Sequence, residues 1–170
     1  MFTRNKIFLF CTIQIVSSLV KLDLRDKTTG RQLTDSNILD LLLDTIKYNG
    51  MLRPNSKTLA PVQVYSKIFL HSLSDIDLKK QSFIAQVNVA FRWFDERLAF
   101  EILNPDKIPG ALQIYSEGIP IDDITFKRLW LPPVFFPNER NSIVHQITTP
   151  NKRAWLYNNG KIIDEFRLTV

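Results

Sequence analysis

Residues 128–170 read RLWLPPVFFPNERNSIVHQITTPNKRAWLYNNGKIIDEFRLTV, and the punctuation of this stretch decides the fold. Trp130-Leu131-Pro132-Pro133 is a proline-stiffened turn, followed by a Phe135-Phe136-Pro137-Asn138-Glu139 loop. Residues 143–147, which include His145, and residues 153–157 read as short strands. Asn159-Gly160 is a strong hairpin signal, because both residues tolerate positive φ. In the last segment Ile162, Phe166, Leu168 and Val170 fall on one parity, and Glu165, Arg167 and Thr169 on the other. Period two with one apolar side is the pattern of a half-buried strand.

Working outward, the same period recurs upstream. Phe83, Ala85, Val87, Val89, Phe91 and Trp93 share one parity against Gln86, Asn88 and Arg92, which predicts a long half-buried strand. Val62, Val64, Ile68 and Leu70 alternate with Gln63, Lys67 and His71 and predict another, and residues 112–115 suit a short strand. One helix is predicted over residues 36–48. Thr34, Asp35 and Ser36 offer caps, Ile38, Leu41, Leu42, Thr45 and Ile46 repeat at helical spacing, and Asn49-Gly50 and Pro54 stop it. Turn signals at Asn104-Pro105, Pro109-Gly110, Gly118 and Pro120 punctuate the interval. Helix first and then strands with short connections predicts a mainly β fold. The expected architecture is an incomplete, immunoglobulin-like β-sandwich with one N-terminal α-helix.

Composition sets the outer bounds. A chain of 170 residues with 45% hydrophobic and 23% charged residues is long enough for one domain with a real core. The net charge of +5 is not gathered into Lys/Arg blocks interleaved with aromatics, which argues against a nucleic-acid partner. Arg4 and Lys6 precede an apolar stretch, IFLFCTIQIVSSLV, that reads as a signal peptide over residues 1–20, with a polar linker over 21–33. The alternative for that stretch is a buried first element. The single cysteine, Cys11, lies inside it, so a cleaved chain would rely on its core without disulfides.

Three stretches resemble the extracellular ligand-binding domain of the pentameric neurotransmitter-gated (Cys-loop) ion channels, nearest the anion-selective branch gated by GABA, glycine or glutamate. Trp93-Phe94-Asp95-Glu96-Arg97-Leu98 is similar to that family's Trp-x-Asp-x-Arg-Leu signature. Trp130-Leu131-Pro132-Pro133 is similar to its Trp-x-Pro-Asp, with proline in place of the final acid. Leu73-Ser74-Asp75-Ile76-Asp77 looks like its Ser-Asp-Ile turn between the first two strands, which couples binding to gating in the intact receptors. The resemblance runs over residues 36–170. It implies that the disulfide loop, the later binding loops and four transmembrane helices would lie beyond Val170. This chain is then expected to be a fragment, a short splice form or an incomplete gene product.

The resemblance also nominates residues. Trp93, Asp95, Arg97, Trp130 and Pro132 are its structural signature; the spacing of Asp95 and Arg97 lets them pair on one side of a strand. Ser74, Asp75 and Asp77 form the coupling loop, for which a solvated acidic turn is an equal reading. Phe135 lies where the family places an aromatic near the agonist, where a ring suits a cationic ligand; the alternative is that Phe135 and Phe136 are core. Asn88 occupies a position where an aromatic is common, and Ala90 one where arginine is common. Arg167 matches an arginine that holds the ligand carboxylate, a task suited to a guanidinium fork. Glu165 stands two residues before it, where a carboxylate neutralises Arg167 and repels an acidic ligand, and a simple cross-strand salt bridge is at least as good a reading as a ligand contact.

By resemblance, the partners are other subunits of the same family in a pentamer, and a small amine or amino-acid neurotransmitter bound between them. The intact subunit would sit in the cell membrane with this domain outside. The chain alone would enter the secretory pathway, and a second reading is a secreted protein that binds ligand or poisons assembly. An unrelated secreted adhesion or carbohydrate-binding sandwich is a third. Enzyme chemistry finds no footing. His71 and His145 lie on separate strands, and no metal spacing, nucleophile elbow or phosphate loop occurs, so neither catalysis nor a cofactor is expected.

Overall fold

The computed structural model of the chain describes residues 20–23, 34–45, 47–103 and 118–170. Its elements are β1 (Val20–Asp23), α1 (Asp35–Leu42), β2 (Tyr65–Asp77), β3 (Ser82–Leu103), β4 (Ile119–Ile121), α2 (Asp123–Phe126), β5 (Ile143–Val144), β6 (Lys152–Leu156) and β7 (Asn159–Thr169). The strands join in one seven-stranded sheet. Strands β2 to β7 pair antiparallel, and β1 adds in parallel to the far end of β3. The fold is mainly β with one short N-terminal helix, consistent with a β-sandwich.

Strand β3 is the spine. Its odd-numbered residues Ala85, Val87, Val89, Phe91 and Trp93 are buried, as the alternation predicts. Register places Leu168, Phe166, Asp164 and Ile162 of β7 opposite Val87, Val89, Phe91 and Trp93, so both strands feed one face. Ala154 and Leu156 of β6 and Ile119 of β4 extend that face, and Ile38, Leu39, Leu42 and Leu43 of the helical segment join the same core cluster. Each large side chain removed from water here contributes about 1.5–3 kcal/mol.

Beyond Trp93 the strand breaks register. Phe94 pairs with Lys161, but the next pair is Ala99 with Asn159, so four residues of β3 bulge out against one of β7. Burial then continues at Leu98, Ala99 and Phe100. Residues 20–23, where the sequence places the junction of leader and linker, form β1 against this end of β3.

Four expectations need correction, the first two at the helix and at the turn after β2. The helix ends at Leu42, with Leu43 as its C-cap, instead of reaching residue 48. The Leu43 carbonyl accepts a 2.6 Å hydrogen bond from Arg128 Nη2, and Tyr48 turns inward to a different partner. A carbonyl captured from outside the helix removes the need to continue it. Thr34 does cap the start, its hydroxyl accepting from the Asn37 N–H. The turn expected at residues 73–77 lies instead at 78–81, because β2 runs through Asp77. Asp77 Oδ1 accepts the N–H groups of Lys79 and Lys80 at 2.9 and 3.0 Å and so builds the turn. Asp75 (φ +50°) sits in a register shift between Ser74 and Asp77.

Strand β2 also departs from expectation. Ile68 and Leu70 oppose Val89 and Val87, hence lie on the core face, yet they are 56% and 54% exposed. Phe83 is exposed as well. Alternation fixes which side an apolar residue occupies, and a covering layer must supply the burial. The strand expected at 143–147 shrinks to β5 and an isolated bridge between Gln146 and Pro150. The expected strand at 112–115 and the leader through residue 19 lie outside the described residues.

The Asn159-Gly160 signal is a hairpin between β6 and β7. Gly160 N–H donates to the Tyr157 carbonyl, and Tyr157 N–H to the Lys161 carbonyl, both at 2.9 Å. Gly160 has φ +77°, and a Cβ there would collide with the Asp95 carbonyl oxygen and stand 3.2 Å from the Ala99 nitrogen. The tip of the hairpin thus nests in the β3 bulge. Gly160→Ala is expected to cost at least about 1–3 kcal/mol from the left-handed backbone alone. A chemical-denaturation midpoint unchanged from the parent would show that the hairpin relaxes freely.

Candidate ligand-binding cleft and its support

Four of the five signature residues gather at the β3 bulge or beside it. Asp95 is 0% exposed, and its carboxylate accepts from Arg97 Nε at 2.8 Å and Arg97 Nη2 at 2.7 Å, a bidentate pair. It also accepts from the Arg97 backbone N–H at 3.1 Å and from the Tyr48 hydroxyl at 3.1 Å. The same hydroxyl accepts the Trp130 backbone N–H at 2.9 Å, and Arg97 Nη1 donates to the Asn49 carbonyl at 2.9 Å. The segment after α1, the β3 bulge and the Trp130 turn are therefore tied by one carboxylate. Burial and the negative charge of Asp95 push the Tyr48 hydroxyl well above the usual phenol range. Trp93 is fully buried, while Pro132 lies half-buried in the turn, its carbonyl accepting the Val134 N–H. Tyr48 is the member of this knot that sequence reading missed.

The opposite, polar face of β3 and β7 carries the cleft. Asn88 and Arg167 are direct cross-strand partners. Arg167 Nη2 donates to Gln86 Oε1 at 3.3 Å, whereas Arg167 Nε and Asn88 Oδ1 are buried with no hydrogen-bond partner. A cleft of about 400 Å³ opens over them, lined also by residues 149–153, Glu165 and Phe166. Glu165 does not bridge to Arg167. Its carboxylate meets Arg153 Nη2 at 3.5 Å, its register partner on β6. These two open groups, a donor on β7 and an acceptor on β3, each cost about 1–3 kcal/mol while unpaired.

The remaining nominated residues lie elsewhere. Phe135 is 75% exposed and does not line the Arg167 cleft, and Phe136 packs against the core. Asp75 and Asp77 line a larger open cleft of about 980 Å³ at the β2–β3 turn, with Phe136 and Arg140 on its other wall. Arg140 Nη2 donates to the Lys80 carbonyl at 2.7 Å, and Ser74 donates weakly to Asp75 at 3.4 Å. His145 Nε2 is 2.7 Å from Thr169 Oγ1. Among the described residues no group of three His, Cys, Asp or Glu is placed to hold a metal, and no helix is long and apolar enough to cross a membrane.

A family model described as the neurotransmitter-gated ion-channel ligand binding domain matches residues 35–170. The chain belongs to this family. That membership removes the unrelated adhesion-module reading. Among curated relatives it is 31% identical over 148 residues to the gamma-aminobutyric acid receptor subunit alpha-3 of Homo sapiens, covering 87% of this chain. It is 30% identical over 135 residues to the glycine receptor subunit beta of Rattus norvegicus, covering 79% of this chain. These are receptor subunits of the anion-channel branch to which the motifs pointed. The chain spans about a quarter of their length, 27% and 25% respectively. For a ligand-binding domain of this family, the knot around Asp95 and the cleft over Arg167 are the two places where the sequence motifs acquire geometry.

Proposed function

We propose that this chain is part of the extracellular domain of a neurotransmitter-gated anion-channel subunit, and that the Arg167 cleft is one half of an agonist site completed by a neighbouring subunit. The ligand is a small amino acid or amine, and its carboxylate, where it has one, meets Arg167. The supporting observation is the pairing of Arg167 with Asn88 in one cleft, with Nε and Oδ1 buried and open. Phe135, exposed and away from this cleft, suits the face turned to the other neighbour in a pentamer. Ser74, Asp75 and Asp77, held on the end of β2, would pass motion of the sheet toward the membrane. On this reading the intact subunit sits in the cell membrane with this domain outside.

Arginine Nε–H resonances in the 15N-labelled chain test the anchor. Titration with acetate, glycine and γ-aminobutyrate is expected to shift Arg167 and to leave Arg92 unmoved. Arg167→Ala is expected to weaken carboxylate binding about tenfold or more, the value of a charge-assisted hydrogen bond. Carboxylate binding that survives Arg167→Ala unchanged would place the ligand elsewhere.

A further inference from the structure

We propose that Arg153 is a positioning residue for this site: by holding the Glu165 carboxylate, it keeps Arg167 free to receive the ligand's own carboxylate. The inference rests on the reading of Arg167 given above. Glu165 and Arg167 are two apart on β7 and project from the same polar face, so the acid has two guanidinium groups within reach. Strand register decides between them. Arg153 stands directly across from Glu165 on β6, and their side chains meet at 3.5 Å. On the other flank Glu165 faces Ala90 of β3, which offers no charge. Arg167 faces Asn88 instead and leans on Gln86.

Both acid and base line the same cleft as Arg167. Glu165 left alone there would either close on Arg167 or repel an incoming anion. Two like charges about 6 Å apart at a partly exposed site repel by on the order of 1 kcal/mol, enough for several-fold in affinity. Arg153 cancels that repulsion and withdraws the competitor. As an exposed pair the bridge adds little to stability. Its consequence is for the ligand: Lys152 also lines the cleft but gives its ammonium to Asp164, so Arg153 and Arg167 against Glu165 leave one net positive charge for a monocarboxylate.

Arg153 is 68% exposed at its side chain, so Arg153→Ala is expected to fold as the parent does. Acetate titrations of the whole chain, read at the Arg167 Nε–H and, in every variant including Arg167→Ala, at the backbone N–H groups of residues 151–153 that line the cleft, separate the cases. The expected result is a three- to tenfold weaker acetate affinity in Arg153→Ala, with affinity restored in Arg153→Ala/Glu165→Gln. Glu165→Gln alone should bind at least as well as the parent. An Arg153→Ala chain that binds acetate like the parent, while Arg167→Ala does not, overturns this inference and leaves the Arg167 anchor standing. Loss in Arg153→Ala that Glu165→Gln fails to rescue makes Arg153 a direct ligand contact and also overturns it. No shift at Arg167 in the parent removes the anchor itself, and this inference with it.

Discussion

Asp95→Ala is expected to lose about 3–5 kcal/mol of folding stability, the cost of breaking a buried ion pair by removing one partner. Against a typical domain stability of about 5–15 kcal/mol, that change separates a folded chain from one largely unfolded at physiological temperature. Asp95 accepts from three groups of two residues, Tyr48 and Arg97, and its removal leaves the Tyr48 hydroxyl and the Arg97 fork to find water in a closed site. Arg97 remains 21% exposed at its side chain, which puts the loss toward the lower end of the range. Tyr48→Phe should cost less, about 1–3 kcal/mol, since it strands the Trp130 N–H while Asp95 Oδ2 keeps its bond from Arg97 Nη2 and no charge is unpaired. Urea denaturation of the two variants and of Arg97→Ala gives the ranking. A loss below 1 kcal/mol for Asp95→Ala would mean that the bulge repacks without its carboxylate.

The knot was half legible in the sequence. The spacing of Asp95 and Arg97 showed that they could pair, and the apolar parity of residues 85–93 placed Trp93 in the core. What the sequence withheld was long-range: Tyr48 read as the last turn of a helix, because nothing local indicates that Arg128 caps Leu43 and that Asp95 draws the phenol inward. The exposed face of β2 was misread for a related reason. Its alternation is real, but a pattern along one strand carries no information about whether a second layer reaches it. Arg153 and Glu165 were closer to hand. Once the hairpin is centred at residues 158–160, pairing follows by counting outward on both strands, and Arg153 then falls opposite Glu165. The same counting turns Asp164 inward between Ile162 and Phe166. The apolar pattern had passed over that residue, since an acid on the core parity contradicts the rule that makes the pattern readable.

That inward acid gives the second large effect: the part of the chain's stability that Asp164 contributes is expected to fall as pH rises from about 4 to 7. Asp164 is 8% exposed, opposite Phe91 on β3 and Ala154 on β6. Its charged neighbour is Lys152, whose Nζ lies 3.8 Å from Oδ1 and 3.6 Å over the Phe126 ring, and Oδ1 has no hydrogen-bond partner. Burial raises its pKa from 3.8 to about 6, and Lys152 only partly offsets this. Between those two values the folded chain holds a proton that the unfolded chain has released. Stability therefore decreases with pH across the window, is highest below the unfolded pKa, and levels off above the folded one. A difference of about two units corresponds to about 3 kcal/mol in order of magnitude. Asp164→Asn removes the ionisable group and keeps the shape. The parent-minus-variant difference cancels every other titrating group, so it should drift by about 1–3 kcal/mol between pH 4 and 7, with the variant gaining on the parent as pH rises. Lys152 keeps 29% of its side chain in solvent and can hydrate when its partner is neutral, so the substitution strands no buried cation. A difference that stays flat over this range, or that drifts the other way, would mean that Lys152 holds Asp164 charged in the folded chain at acid pH as well.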